Sequence, residues 1–356
     1  MCLEMHTAFC YFYERKGVGI LKNKILAGIV CVGVLGMLIA CGKENVAPND
    51  GTETVSADNN VNAEEKQEQE KIETDTAKYP DVSKYECVPQ AINFTAGGDL
   101  FWKQEGVEYG ELVEIEYESF VTGKTRKANV LLPAGYTEEK QYPVLYLLHG
   151  SDGDHNEWKK GDPVYTVGNA IASGEAAEMI VVMPNVRASA DDSADAFGND
   201  TLGNFRAFDN FINDLQQCLM PYIEENYPVY TDRDNTAVAG LSLGGRESIY
   251  IGRTLYEEFA YIGSFSPGPG VVAYKMGKLM EEGLFEAEEL AFPEGYEPKV
   301  LMITEGDSDS IVGKIPHIYH DLFTEAGVDH IYYTIKGGHD YSVWKRSLYG
   351  FIIEIF

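Results

Sequence analysis

A chain of 356 residues that is 44% hydrophobic and holds 23 Tyr and 16 Phe can bury a large core, as two domains or as one α/β domain with non-globular ends. Its formal net charge of −29 argues against nucleic acid as a partner, since a polyanion would be repelled before any groove could be read. The 6 Cys, at positions 2, 10, 31, 41, 87 and 218, form no C-x-x-C pair and no ligand spacing with His, which disfavours a zinc site.

In chain order, Lys22 and Lys24 precede the apolar stretch Ile25 to Ala40, which ends in Leu38-Ile39-Ala40-Cys41. A basic n-region, a short apolar h-region and small residues make residues 1–40 a secretory signal, too short to read as a membrane-spanning helix. Its end resembles the bacterial lipobox, in which cleavage before the cysteine leaves a thiol that receives a diacylglyceryl group. Cys41 is therefore the expected lipidation site, and the membrane the expected partner through it, in an extracytoplasmic lipoprotein. Residues 1 to 20 sit awkwardly ahead of this signal, so translation is expected to start near Leu21. From Gly42 to about Lys84, Glu, Asp, Asn, Thr, Lys and Gln dominate. Too little apolar surface is available there to offset chain entropy, so residues 41–84 read as an acidic, solvated tether. With Cys41 used, Cys87 and Cys218 are left, and two unpaired buried thiols are the simpler expectation than a disulfide.

The globular part is expected over residues 85–356. Glu111 to Phe120 alternates apolar and acidic residues as a half-exposed strand does, and Thr122 to Thr125 turns it into a second strand, Lys127 to Pro133. Val144 to Leu148 is a continuous apolar run suited to a strand buried on both faces, ending at His149-Gly150-Ser151. Strand and helix patterns then alternate. Asn169 to Gly174 reads as helix, Met179 to Pro184 as strand, Phe205 to Tyr227 as helix, Thr236 to Leu241 as strand and Arg246 to Tyr256 as helix. Phe259 to Phe265 follows as strand, Ala273 to Glu282 as helix, Lys299 to Thr304 as strand, Pro316 to Ala326 as helix, His330 to Lys336 as strand and Tyr341 to Phe356 as helix. An antiparallel hairpin followed by this alternation predicts an α/β fold, its mostly parallel central sheet covered by helices on both faces.

Gly240-Leu241-Ser242-Leu243-Gly244 stands between a strand and a helix. A nucleophile lifted onto so tight a turn needs neighbours without side chains, and its hydroxyl needs a base to take its proton. His339 follows Gly337-Gly338 at a strand exit and is the candidate base. Another exit carries Glu305-Gly306-Asp307-Ser308-Asp309-Ser310, where Asp307 and Asp309 compete as the acid that orients the imidazole, with Glu305 third. The oxyanion of acyl transfer needs backbone donors, for which Leu243 is one candidate and Ser151, with Gly150 close behind, the other. Trp158 and Trp344 fit an aromatic acyl pocket and core packing equally, and Arg187 and Arg206 read as surface residues rather than carboxylate receivers.

Leu147-Leu148-His149-Gly150, Trp158, Pro184-Asn185, Asn210-Phe211, Pro221-Tyr222-Ile223-Glu224, the Ser242 pentapeptide with Gly245, Asp309-Ser310 and Gly337-Gly338-His339-Asp340 with Trp344 together resemble the "putative esterase" family of α/β-hydrolases. That family includes feruloyl esterases and esterase D. The resemblance runs from about residue 107 to the end, and it implies a serine esterase with Ser242, Asp309 and His339 as its triad and no metal or cofactor. It implies feruloyl, related hydroxycinnamoyl or acetyl esters of plant cell-wall polysaccharide (xylan) as substrates, with siderophore or other small esters as the alternative. A silent carbohydrate-binding surface module on the same fold is the reading from another class.

Overall fold

The computed structural model describes residues 98–276 and 279–356, so the signal, the tether, Cys41 and Cys87 lie outside the described residues. Ten strands are described: β1 (Glu111–Ser119), β2 (Lys124–Leu132), β3 (Val144–Leu148), β4 (Ile180–Pro184), β5 (Thr236–Leu241), β6 (Tyr261–Phe265), β7 (Val272–Met276), β8 (Leu279–Gly283), β9 (Val300–Gly306) and β10 (Ile331–Ile335). The helices are α1 (Pro163–Ala172), α2 (Thr201–Asp209), α3 (Phe211–Asp214), α4 (Met220–Asn226), α5 (Leu243–Thr254), α6 (Ile315–Glu325) and α7 (Tyr341–Ile352).

Eight strands form one sheet in the order β1-β2-β4-β3-β5-β6-β9-β10. Only β1–β2 and β2–β4 pair antiparallel; from β4 to β10 every pairing is parallel, as the alternation of patterns predicts. The Glu side chains of β1 face solvent while Ile115, Tyr117 and Ser119 are buried, whereas all five residues of β3 are buried. Alternate residues of β3 serve opposite cores. Val144, Tyr146 and Leu148 pack with Phe208, Phe211, Ile249 and Phe323 of α2, α3, α5 and α6, while Leu145 and Leu147 pack with Val167 of α1 and Leu348 of α7. The parallel strands thus point their carboxyl ends to one rim, where α/β sheets carry their sites.

α1 starts at Pro163, ahead of the expected Asn169, and two stretches differ in kind from the sequence expectation. Ala273 to Glu282 is not a helix: β7 and β8 pair antiparallel, with Met276 opposite Leu279 and only residues 277 and 278 between them. A helix there would have carried Gly277 in its interior at a cost of about 1 kcal/mol, whereas Val271, Val272 and Tyr274 suit a pleated strand. The segment Phe205 to Tyr227 is helical but broken. Residues Leu215–Leu219 widen into a π-turn immediately ahead of Met220 and Pro221, because Pro221 has no N–H to continue the regular ladder. Cys218 is buried and in no disulfide among the described residues.

Candidate active site

β5 ends at Leu241 and α5 begins at Leu243, so Ser242 turns the chain within one residue. It does so at φ 54° and ψ −120°, which an L-residue adopts only under constraint. Its neighbours supply that constraint. Ser242 N–H donates to Phe265 O at 2.8 Å, and Ser242 O accepts from Gly268 N–H at 2.9 Å and Arg246 N–H at 3.1 Å. A Cβ on Gly240 would stand 2.5 Å from the Gly244 carbonyl, and one on Gly244 would stand 2.3 Å from His149 O. Only glycine at both positions lets helix, strand and the exit of β3 close around the serine.

The Ser242 hydroxyl donates to His339 Nε2 over 2.9 Å, and His339 Nδ1–H donates to Asp309 Oδ2 over 2.7 Å. The exits of β5, β9 and β10 therefore bring the three residues named from the sequence into one hydrogen-bonded line. Asp309 is buried, and its other oxygen accepts the N–H groups of Ile311 at 2.9 Å and Val312 at 3.2 Å. Burial alone would raise this carboxyl, but the hydrogen bond and charge of His339, with the two N–H groups, hold it below the ordinary value. An ionised carboxylate at Nδ1 keeps the proton there and leaves Nε2 bare toward the serine. The rings of His339 and Trp344 meet edge to face at 5.0 Å, which restrains the imidazole. The competing acids act elsewhere. Asp307 Oδ1 accepts Gly337 N–H at 3.0 Å and pins the exit of β10, and Glu305 accepts the hydroxyls of Tyr332 at 2.6 Å and Thr334 at 3.2 Å.

Leu243 N–H lies in the first turn of α5, where no residue one turn back can accept it, and it has no acceptor among the described residues. On the loop after β3, the structure corrects one candidate: Gly150 N–H donates to Glu157 Oε2 at 2.9 Å and is occupied. Ser151 N–H has no such partner among the described residues. Its peptide plane is set by the opposite oxygen, since Gly150 O accepts from His149 Nδ1–H at 2.7 Å and from Gly153 N–H at 3.1 Å. His149 is fully buried, and its Nε2 accepts Val186 N–H at 2.8 Å, so the ring is neutral with its proton on Nδ1. Burial pushes its pKa from the ordinary 6.5 down to about 4.

Sequence reasoning missed Arg187. It is fully buried rather than at the surface: its Nη2 donates to Ser151 O, its Nη1 to Gly153 O at 3.1 Å and Asp192 O at 3.3 Å, and its Nε to Asn204 Oδ1 at 2.8 Å. Four of its N–H groups go to the protein, so it holds the loop; its place in Pro184-Asn185-Val186-Arg187 at a strand exit was the available signal. Arg206 stays largely exposed on α2. The two tryptophans, which fit an acyl pocket and core packing equally in the sequence, are both buried. Trp158 is 1% exposed, donates Nε1–H to Leu148 O at 2.9 Å and packs against Phe265 and Tyr341, so it is core. Trp344 is 7% exposed and serves as a wall for His339. Among the described residues no group of His, Cys, Asp and Glu is placed to hold a metal ion.

Comparison with known proteins gives a consistent picture. Residues 119–282 match the family model described as "Putative esterase". The solved structure of a ferulic acid esterase from Anaeromyces mucronatus, in complex with ferulic acid, is 36% identical, with a TM-score of 0.69 over 73% of this chain and 96% of that one. An endo-1,4-beta-xylanase/feruloyl esterase of Xylanibacter ruminicola is 28% identical over 257 residues, 70% of this chain, and an iron(III) salmochelin esterase of Escherichia coli is 28% identical over 149 residues, 38% of it. This chain spans 32% of the length of the first of these two relatives and 35% of the second.

Proposed function

We propose that this chain, which belongs to the "Putative esterase" family of α/β-hydrolases, is a serine carboxylic ester hydrolase acting through an acyl-enzyme on Ser242. The observation that carries this reading is the continuous line Ser242–His339–Asp309, because it joins a nucleophile, a base whose acceptor nitrogen faces it unprotonated, and an acid that fixes the tautomer. In the reaction, His339 Nε2 takes the hydroxyl proton as Ser242 Oγ bonds to the ester carbonyl carbon. The carbonyl oxygen takes up the negative charge between the N–H groups of Leu243 and Ser151. Collapse breaks the bond to the alcohol oxygen, which leaves with the proton from His339. A water then repeats the sequence against the acyl-enzyme, giving up a proton to His339 and releasing the acid and Ser242.

The substrates we assign are feruloyl or related hydroxycinnamoyl esters, or acetyl esters, of plant cell-wall polysaccharide. Support comes from the ferulic acid bound to the Anaeromyces relative and the xylanase partnered with the esterase in Xylanibacter. The salmochelin relative favours a second reading, the cleavage of small siderophore esters. From the sequence we further assign residues 41–84 as a tether and Cys41 as a lipid anchor outside the cytoplasm. Incorporation of labelled fatty acid that persists in Cys41→Ser would remove the anchor. The test of function is hydrolysis of methyl ferulate beside a short-chain acetate ester, wild type against Ser242→Ala. Preference for ferulate abolished by the substitution is the expected result, and turnover that survives it overturns the mechanism.

A further inference from the structure

The two oxyanion donors belong to separate segments, Ser151 after β3 and Leu243 at the start of α5, and one element of the structure grips both. That element is α2. Asn204 Nδ2 donates to Ser151 O at 3.3 Å while Asn204 Oδ1 accepts Arg187 Nε–H at 2.8 Å, so the Ser151 carbonyl is held by Arg187 and Asn204 together. One turn on, Phe208 meets the His149 ring edge to face at 5.5 Å and lies under the Arg187 guanidinium at 5.4 Å. Asn204 and Phe208, four apart, thus form one ridge of the helix, turned to the oxyanion loop. The next ridge is Phe205 and Asp209. Asp209 accepts a hydrogen bond from Arg246 Nη1, and the Arg246 guanidinium sits 5.1 Å above the Phe205 ring. Arg246 is three residues beyond Leu243 on α5, buried, and also bonded to the buried Glu247. Burial would lower the Arg246 pKa, but the carboxylates of Glu247 and Asp209 hold it above its ordinary value, so the cation stays in place.

We propose that α2 is a strut that keeps the two oxyanion donors in register, with Asn204 and Asp209 as its positioning residues. Neither residue touches the reacting atoms. Each fixes the segment behind one donor, and because both stand on a single helix, movement of one segment is resisted by the other. The proposal rests on the acyl-transfer reading, in which the donors act on the tetrahedral intermediate more than on the bound ester; loosening the strut therefore slows turnover more than it weakens substrate binding.

The test uses the full chain with methyl ferulate as substrate and phenylboronic acid as a tetrahedral mimic on Ser242. Asn204→Asp keeps the acceptor for Arg187 and removes the donation to Ser151 O; Asp209→Asn keeps the shape and removes the charge by which α2 holds Arg246, leaving that of Glu247 on α5. Each is expected to lower kcat about 5- to 20-fold, with KM within about twofold and boronate affinity falling in step with kcat. In the double variant the losses fall short of their product, since one loosened end already frees the strut. Asp209→Glu, which restores a carboxylate, recovers most of the rate if the charge and not the fold was lost. The strut is overturned if kcat stays within about twofold of wild type in both single variants, if the loss falls on KM, or if the two losses multiply as independent packing defects do. A wild type that hydrolyses no ester removes the esterase reading and the strut with it, whereas an active wild type with indifferent variants removes the strut alone.

Discussion

The two sides of Ser242 are built on opposite plans. Toward β9 and β10 lies a line of three side chains joined by two hydrogen bonds, each residue at a strand exit and each in a short recognisable string of sequence. Toward β3 and β4 the oxyanion role we propose falls to a backbone N–H: His149 bonds the Gly150 carbonyl of the Ser151 N–H peptide, and a buried Arg187 and Asn204 hold the Ser151 carbonyl behind it. Reactivity can be concentrated in a few side chains, but the direction of a peptide group must be enforced from several sides at once. The first side should therefore fail abruptly when cut, and the second by degrees.

The largest expected effect is on the reactive line. Ser242→Ala and His339→Ala should each remove on the order of 10⁶ of turnover and together cost little more, since either alone disables the unit. Asp309→Asn should lose about 10⁴, because an amide at that place favours the wrong tautomer of His339. Asp307→Asn should stay within about threefold, since its contact is one turn hydrogen bond to Gly337. Rates of methyl ferulate hydrolysis decide this, and a larger loss at Asp307 than at Asp309 would break the assignment of the acid. On the other side, Arg187→Lys keeps the charge but cannot span Ser151 O, Gly153 O and Asn204 at once. It should lower kcat by about 10² while Ser242 still reacts with a fluorophosphonate. An unchanged kcat would mean that the oxyanion loop holds itself.

This division also explains what could be read in advance. Ser242, His339 and the competing aspartates were visible because a tight strand-to-helix turn and a glycine-flanked exit write their demands into adjacent residues. The sheet was visible for the same reason, in the unbroken run Val144 to Leu148 and the alternation of β1. Arg187 and Asn204 were not, since their partners lie 36 and 53 residues away from them in sequence at Ser151. Gly150 lost its donor to Glu157, a contact that no local pattern announces. The hairpin of β7 and β8 was misread as helix because a short amphipathic run satisfies both periods, and only pairing decides between them.

His149 sharpens the comparison through pH. Its folded pKa, about 4, lies below the unfolded 6.5, so the unfolded chain binds the proton more readily. The contribution is therefore full above pH 6.5 and is lost as the pH falls toward 4. At 1.36 kcal/mol per pH unit the gap amounts to about 3 kcal/mol. Tm measured from pH 7 to pH 4 should fall more steeply in wild type than in His149→Asn, which has no ring to titrate. Parallel curves would show that burial of His149 is not what shifts it.

The smallest effects separate the two tryptophans. Trp158 Nε1–H is bonded to Leu148 O at the exit of β3, whereas the buried Nε1 of Trp344 has no hydrogen-bond partner among the described residues. Replacing each by Phe keeps most of the aromatic volume. Trp158→Phe removes the N–H bonded to Leu148 O and leaves a gap in the core, so it should cost about 2 kcal/mol. Trp344→Phe removes an N–H that gains nothing from the protein and should cost less than about 1 kcal/mol. Both rings are buried, so the ratio of methyl ferulate to acetate ester hydrolysis should move by less than about twofold in both variants. A tenfold fall of that ratio in Trp344→Phe would return this residue to the substrate pocket. It would also show that the wall behind His339 reads the acyl group as well as restraining the ring.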